Sequence, residues 1–247
     1  MLQVAPKKRK PLQIFIGITV VVIIVAMVAI RLTGIIKLYV IASPSNEPTL
    51  LVKQNMFFSG FKTPRLGDFI VYTNNRTDSA CIAGGATFVK PGTNWVHRLC
   101  GREGDTVQMK EGVFYVNGNN FDSGYNLYHR YLIASKYVDR LPDSLDLVSS
   151  GINSLNDSVD IISLTDNNYN EFSGIFSIVK YTHAPIDSSA FGPFAWYDRY
   201  LKWSVDNFGP LAIPKGYVFV MGDNRSNAID SRYTGFISIT NIKGVQL

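Results

Sequence analysis

An uncharged apolar run, PLQIFIGITVVVIIVAMVAI, fills positions Pro11 to Ile30. At about 1.5 Å per residue it is long enough to cross a hydrocarbon layer about 30 Å thick, which predicts a transmembrane helix over 11–31. The run is too long for a signal-peptide h-region and no small-x-small site follows at once, so it reads as a permanent anchor. Beyond it the pattern turns to short stretches rich in β-branched and aromatic residues. IIKLYVIASPS predicts a strand ending in the turn Ser43-Pro44-Ser45-Asn46-Glu47-Pro48. Further strands are predicted in GDFIVYTN (67–74), TNWVHRLCG (93–101), GYVFVMGDNR (216–225) and GFISIT to KGVQL, with a hairpin in DTVQMKEGVFYVNG (105–118). From Phe121 to Pro210 the composition shifts to Asn, Ser, Asp and Tyr, and NLYHRYLIASKYVDRL (126–141) predicts a helix. A loop of that length without structure is improbable in a compact domain. The pattern therefore predicts a mainly β fold: a basic tail (1–10), the transmembrane helix (11–31), a β core from 38–120 and 211–247, and an inserted α/β lobe (121–210).

Composition narrows the function. With 247 residues and 46% apolar content the chain can bury a sizeable core, and disorder is excluded. The net charge of +5 sits largely in Lys7, Lys8, Arg9 and Lys10, the rest is close to neutral, and nucleic acid is excluded as a partner. Those basic residues precede the apolar run, and only Arg31 and Lys37 follow it before the chain turns polar. That asymmetry places the N-terminus in the cytoplasm and the domain on the periplasmic or extracytoplasmic face of the inner (cytoplasmic) membrane, with the lipid bilayer as a partner. Cys81 and Cys100 make neither a metal quartet nor a CxxC pair; one disulfide and two buried thiols both remain open. No metal or nucleotide site is visible, so no cofactor is expected.

Ser45 alone is a turn residue, and His97, His129 and His183 alone are ordinary polar groups. Context changes this for Ser45 and His97. SPSNEPTL (43–50), RLGDFIVY (65–72), VHRLCGREGDTV (96–107) and GDNRSNAIDSRYTGF (222–236) follow one another behind a single N-terminal apolar run. In order and spacing they resemble the boxes of type I signal peptidases, over the anchor and about half of the outer domain. The resemblance implies a β-sheet serine endopeptidase that removes signal peptides from exported precursors after a small-x-small site, with a secretion translocon as a further partner. It implies Ser45 as nucleophile, Ser43 as the hydroxyl that binds the oxyanion beside the Ser45 N–H, and Gly222, Asp223, Asn224, Arg225, Asp230 and Arg232 as the residues bracing the site.

Three positions depart from the bacterial pattern. His97 stands where those members carry a lysine base, as in the endoplasmic-reticulum and archaeal enzymes. A free lysine, near pKa 10.4, needs burial to act as a base at neutrality, whereas an imidazole near about 6.5 does not; a Ser–His pair is therefore expected to work in a wetter site. Ala228 replaces the serine that orients the lysine, and Asp230, or secondarily Asp223, becomes the carboxylate expected to orient the imidazole. Asn46 replaces the usual methionine after the nucleophile. Asn46 and Ala228 keep open a membrane-anchored paralogue that binds signal peptides without cleaving them, and the large lobe keeps open a processing enzyme dedicated to one secretion system.

Overall fold

The computed structural model describes residues 11–33, 35–87, 89–142, 145, 152–182 and 203–247. The basic tail 1–10 and His183 lie outside the described residues. Helix α1, Pro11–Thr33, takes up the apolar run. Its side chains from Pro11 to Val25 are exposed, and the continuous stretch with described side chains ends there. Among the described residues no helix is long and apolar enough to cross a membrane.

After α1 come β1 (Ile36–Val40), β2 (Asn55–Ser59), β3 (Phe69–Thr73), α2 (Asn75–Ala83), β4 (Asn94–Arg102), β5 (Thr106–Lys110), β6 (Val113–Val116) and β7 (Asn119–Asn120). The middle of the chain holds β8 (Tyr128–Ala134), β9 (Asn153–Asn156), β10 (Val159–Thr165), α3 (Asp166–Phe172) and β11 (Ile178–Lys180). β12 (Phe208–Ala212), β13 (Tyr217–Met221), α4 (Ser231–Thr234), β14 (Ile237–Ser238) and β15 (Ile242–Gln246) complete it. The fold is mainly β.

The main sheet has seven strands in the order β1-β2-β15-β3-β4-β13-β14, all antiparallel. β3 shows why its sequence is an unbroken apolar run. Phe69 and Val71 pack with Ile41, Leu50 and Phe58 on one face. Ile70 and Tyr72 pack with Leu99, Val218 and Val220 on the other. A strand covered on both faces has no polar side to alternate with. A second sheet, β12-β5-β6-β7, closes over β13, where Phe114 stacks on Phe219 with ring centroids 5.9 Å apart.

The third sheet, β11-β8-β10-β9, has its own core of Tyr131, Ile133, Ile162, Leu164, Phe172 and Ile178. Here the expected helix over 126–141 is not formed: 128–134 is β8, and a short 3-10 helix, Ser135–Arg140, follows. Along β8 burial alternates, with His129, Tyr131 and Ile133 inward. Pairing with β10 and β11 satisfies the backbone on both edges, and that tertiary gain outweighs the helical spacing of Leu, Ile and Tyr. Cys81 and Cys100 are buried free thiols.

Candidate active site

Three strands and one turn build the site. β1 delivers the chain to Ser43, and Pro44 opens a one-turn 3-10 helix, Pro44–Asn46, because its fixed φ suits a first helical position. Asn46 clamps this turn to β4: its Nδ2 donates to the Val96 carbonyl at 2.7 Å, next to His97. The polar residue that departs from the family pattern is thus a strut, 1% exposed. From the other side, the Asn224 N–H donates to the Ser45 carbonyl at 3.1 Å and Asn224 Nδ2 to the Pro44 carbonyl at 3.2 Å. Gly222 permits this approach, since a Cβ there would overlap the Ser45 carbonyl oxygen and the Ala228 methyl group.

Ser43, Ser45, Asn46 and His97 line one cavity of about 520 Å³. Ser45 Oγ lies 3.1 Å from Ser43 Oγ, and this hydroxyl, rather than the imidazole, is the partner of the Ser45 side chain. His97 is 1% exposed. The wetter site expected for a Ser–His pair is therefore not what the fold provides. Burial lowers the His97 pKa to about 4; Asp230 pulls it up and Arg232 pushes it down by smaller amounts. The ring is neutral at physiological pH and holds a lone pair, which a general base requires.

Among the described residues no carboxylate bonds the ring. His97 Nδ1 is 2.7 Å from the hydroxyl of Tyr72, which burial keeps a protonated phenol, its pKa raised well above the ordinary value. The register explains the meeting: Ile70 lies opposite His97 and Tyr72 opposite Trp95, so Tyr72 is the diagonal neighbour of His97 on the same face, within reach of an aromatic side chain. Tyr72 closes the RLGDFIVY block, and the sequence pattern assigned it no role; the two-residue alternation along β3 and β4 is the signal that pairs it with His97.

Asp230, expected to orient the imidazole, is committed elsewhere. Its Oδ1 accepts from the Arg232 N–H at 3.1 Å and Nε at 2.9 Å, and its Oδ2 from the Arg232 terminal nitrogen at 2.8 Å and the Gly222 N–H at 3.1 Å. Burial would raise its pKa, but the Arg232 guanidinium prevails and holds it below the usual carboxylate range. Asp223 is likewise engaged, with Arg98 Nε at 2.7 Å, a second Arg98 nitrogen at 2.5 Å, and Thr49 Oγ1. Arg98 lies between the rings of Phe69 and Tyr125, 4.2 and 4.1 Å from their centroids. Arg225 forms a two-pronged pair with Asp122 at 2.7 and 2.9 Å. Each charged residue of the last box thus has a bonded partner that holds the sheet, the turn or the lobe in register. Among the described residues no group of His, Cys, Asp and Glu is arranged to hold a metal ion.

A family model described as signal peptidase, peptidase S26, matches residues 14–247. Signal peptidase I P of Bacillus subtilis subsp. natto is 26% identical over 241 residues, 97% of this chain and 90% of the relative. Signal peptidase I of Aquifex aeolicus (strain VF5) is 28% identical over 239 residues, 90% of this chain and 78% of that one. A crystal structure of a signal peptidase I from Enterococcus faecalis V583 aligns with a TM-score of 0.34 at 18% identity, over 74% of this chain and 97% of that chain.

Proposed function

The chain belongs to the signal peptidase family, peptidase S26, and from that premise we propose that it cleaves signal peptides from exported precursors by Ser45–His97 catalysis. It is a serine hydrolase of the signal peptidase I kind. One observation carries the residue assignment: Ser45 and His97, whose ring is neutral, line the same cavity, with the Ser43 hydroxyl 3.1 Å from that of Ser45. In the reaction, Ser45 turns from Ser43 toward the ring and its Oγ attacks the scissile carbonyl. His97 takes the proton and delivers it to the leaving amine. Ser43, released from Ser45, donates to the oxyanion where charge develops, a contact commonly worth about 3 kcal/mol of barrier. Tyr72 holds the ring at Nδ1, while Asp230 acts on it only through its field.

Helix α1 would serve as a single membrane span. The support is the sequence: the stretch with described side chains, Pro11 to Val25, is too short by itself, but the whole uncharged run 11–30 would rise about 30 Å as a helix, the thickness of the hydrocarbon layer. The basic tail then lies in the cytoplasm, and the catalytic sheets lie on the extracytoplasmic face, where translocated precursors emerge. A reading as a non-cleaving binding protein draws on the Ser45 hydroxyl being engaged with Ser43. Incubation of the full chain in detergent with a purified exported precursor separates the two. The proposal expects one new N-terminus after a small-x-small site, identified by mass spectrometry; a precursor bound but left intact favours the binding protein.

A further inference from the structure

Residues 222–230, between β13 and α4, form no strand, so their backbone carbonyls have no ladder to pair with and need other donors. Those donors come from several parts of the chain. The Asp223 carbonyl accepts from the Tyr128 N–H at 3.0 Å, and the Asn224 carbonyl from the Asn227 N–H at 3.0 Å. The Arg225 carbonyl accepts from an Arg232 terminal nitrogen at 3.0 Å, and the Ser226 carbonyl from an Arg130 terminal nitrogen at 3.1 Å. Tyr128 and Arg130, which supply two of these four bonds, both stand on β8. That strand is a firm base. It pairs with β10 along its whole length, from Tyr128 opposite Thr165 to Ala134 opposite Val159. Just before it, the Leu127 N–H donates to the Asp166 carboxylate at 3.0 Å, and the Leu127 carbonyl accepts from the Asp166 N–H at 3.0 Å.

The loop that β8 holds is the one that holds Ser45. Asn224 donates from its N–H to the Ser45 carbonyl and from Nδ2 to the Pro44 carbonyl, and the Asn227 N–H closes the turn that joins Asn224 to Ser226. Among the described residues none of β8 to β11 lines the cavity of Ser45 and His97. We propose that the third sheet positions the nucleophile from outside the cavity: Arg130 is a positioning residue that fixes the Ser226 carbonyl, and through the 224–227 turn and Asn224 it fixes the turn carrying Ser45. The alternation along β8 frees Arg130 for this task, since His129 and Tyr131 on either side of it point inward. The consequence for the reaction rests on Ser45 being the nucleophile of a peptidase; the path of hydrogen bonds does not.

The test compares the full chain in detergent with Arg130→Met, the milder Arg130→Gln, and Arg130→Lys. Amide hydrogen exchange and the kinetics of signal-peptide cleavage are measured on each. In Arg130→Met and Arg130→Gln the amides of Asn224 and Asn227 should exchange severalfold faster, while those of the β5–β6 hairpin stay as they were. A nucleophile displaced by a fraction of an ångström to about 1 Å should lower kcat about ten- to hundredfold. KM should stay within about twofold, because the substrate contacts are untouched. Lysine can still offer one charged donor to the Ser226 carbonyl, so Arg130→Lys should recover most of both losses. Ile133→Val, a cavity in the core of the same sheet, should lower the thermal midpoint by a few degrees and leave kcat as it was. Unchanged exchange at Asn224 and Asn227, a kcat that does not follow the exchange, no recovery with lysine, or an equal loss of kcat in Ile133→Val overturns the proposal. Exchange that responds as expected in a chain whose wild type cuts no precursor would instead overturn the peptidase reading and leave the β8 clamp standing.

Discussion

Ser45→Ala is expected to lower kcat on a signal-peptide substrate by about 10⁴- to 10⁶-fold, and His97→Ala by a similar factor, with KM little changed in either. The expectation follows from one proton path: without the hydroxyl there is no nucleophile, and without the imidazole no group in the cavity takes its proton. Because the two act as a unit, the double variant should be no slower than the slower single variant. Rates that multiply in the double variant would mean that Ser45 and His97 work separately. His97→Ala also strands the Tyr72 hydroxyl in a fully buried position, at a cost of about 1–3 kcal/mol. Its circular dichroism should therefore be compared with that of the wild type before the rate is interpreted.

Asp230→Ala should destabilise the fold by about 3–5 kcal/mol, because it leaves the Arg232 guanidinium charged and uncompensated at 1% exposure. Loss of the N-cap of α4 adds roughly 1 kcal/mol. The expected fall in the thermal midpoint is about 10 °C or more. The pair Asp230→Leu with Arg232→Met, which removes both charges, should cost much less than the single change, since the dominant penalty is the orphaned cation rather than the lost bridge. A near-normal midpoint for Asp230→Ala, together with a large loss of kcat, would return this carboxylate to the role of ring-orienting catalytic partner.

The sequence pattern and the structure agree where local signals and tertiary demands coincide. β3, β4, the β5–β6 hairpin and β13 all lie where alternation or continuous apolar runs predict them. Ser45 and His97 share a cavity although 52 positions separate them, and spacing alone could not show that without the family resemblance. β2, Asn55–Ser59, escaped because NMFFS is short and half-exposed, with little alternation to detect. The 126–141 stretch carries a helical spacing that sheet pairing overrides. The charges around the site were legible as residues but not as partners. Asp230 was expected on the imidazole and is saturated by Arg232 and Gly222, while the phenol at Nδ1 comes from a diagonal register that only strand pairing reveals.

The most direct test of the central claim is the pH dependence of kcat/KM for cleavage of a fluorogenic signal-peptide substrate by the full chain in detergent. This parameter reports the base of the free enzyme. A base active only when neutral, with a pKa lowered to about 4 by burial, gives a rate that rises through about pH 4 and is flat across neutrality. A rise centred near pH 6.5 would mean the ring is solvated rather than buried, and a rise that continues well above neutrality would mean that a group other than His97 takes the proton from Ser45.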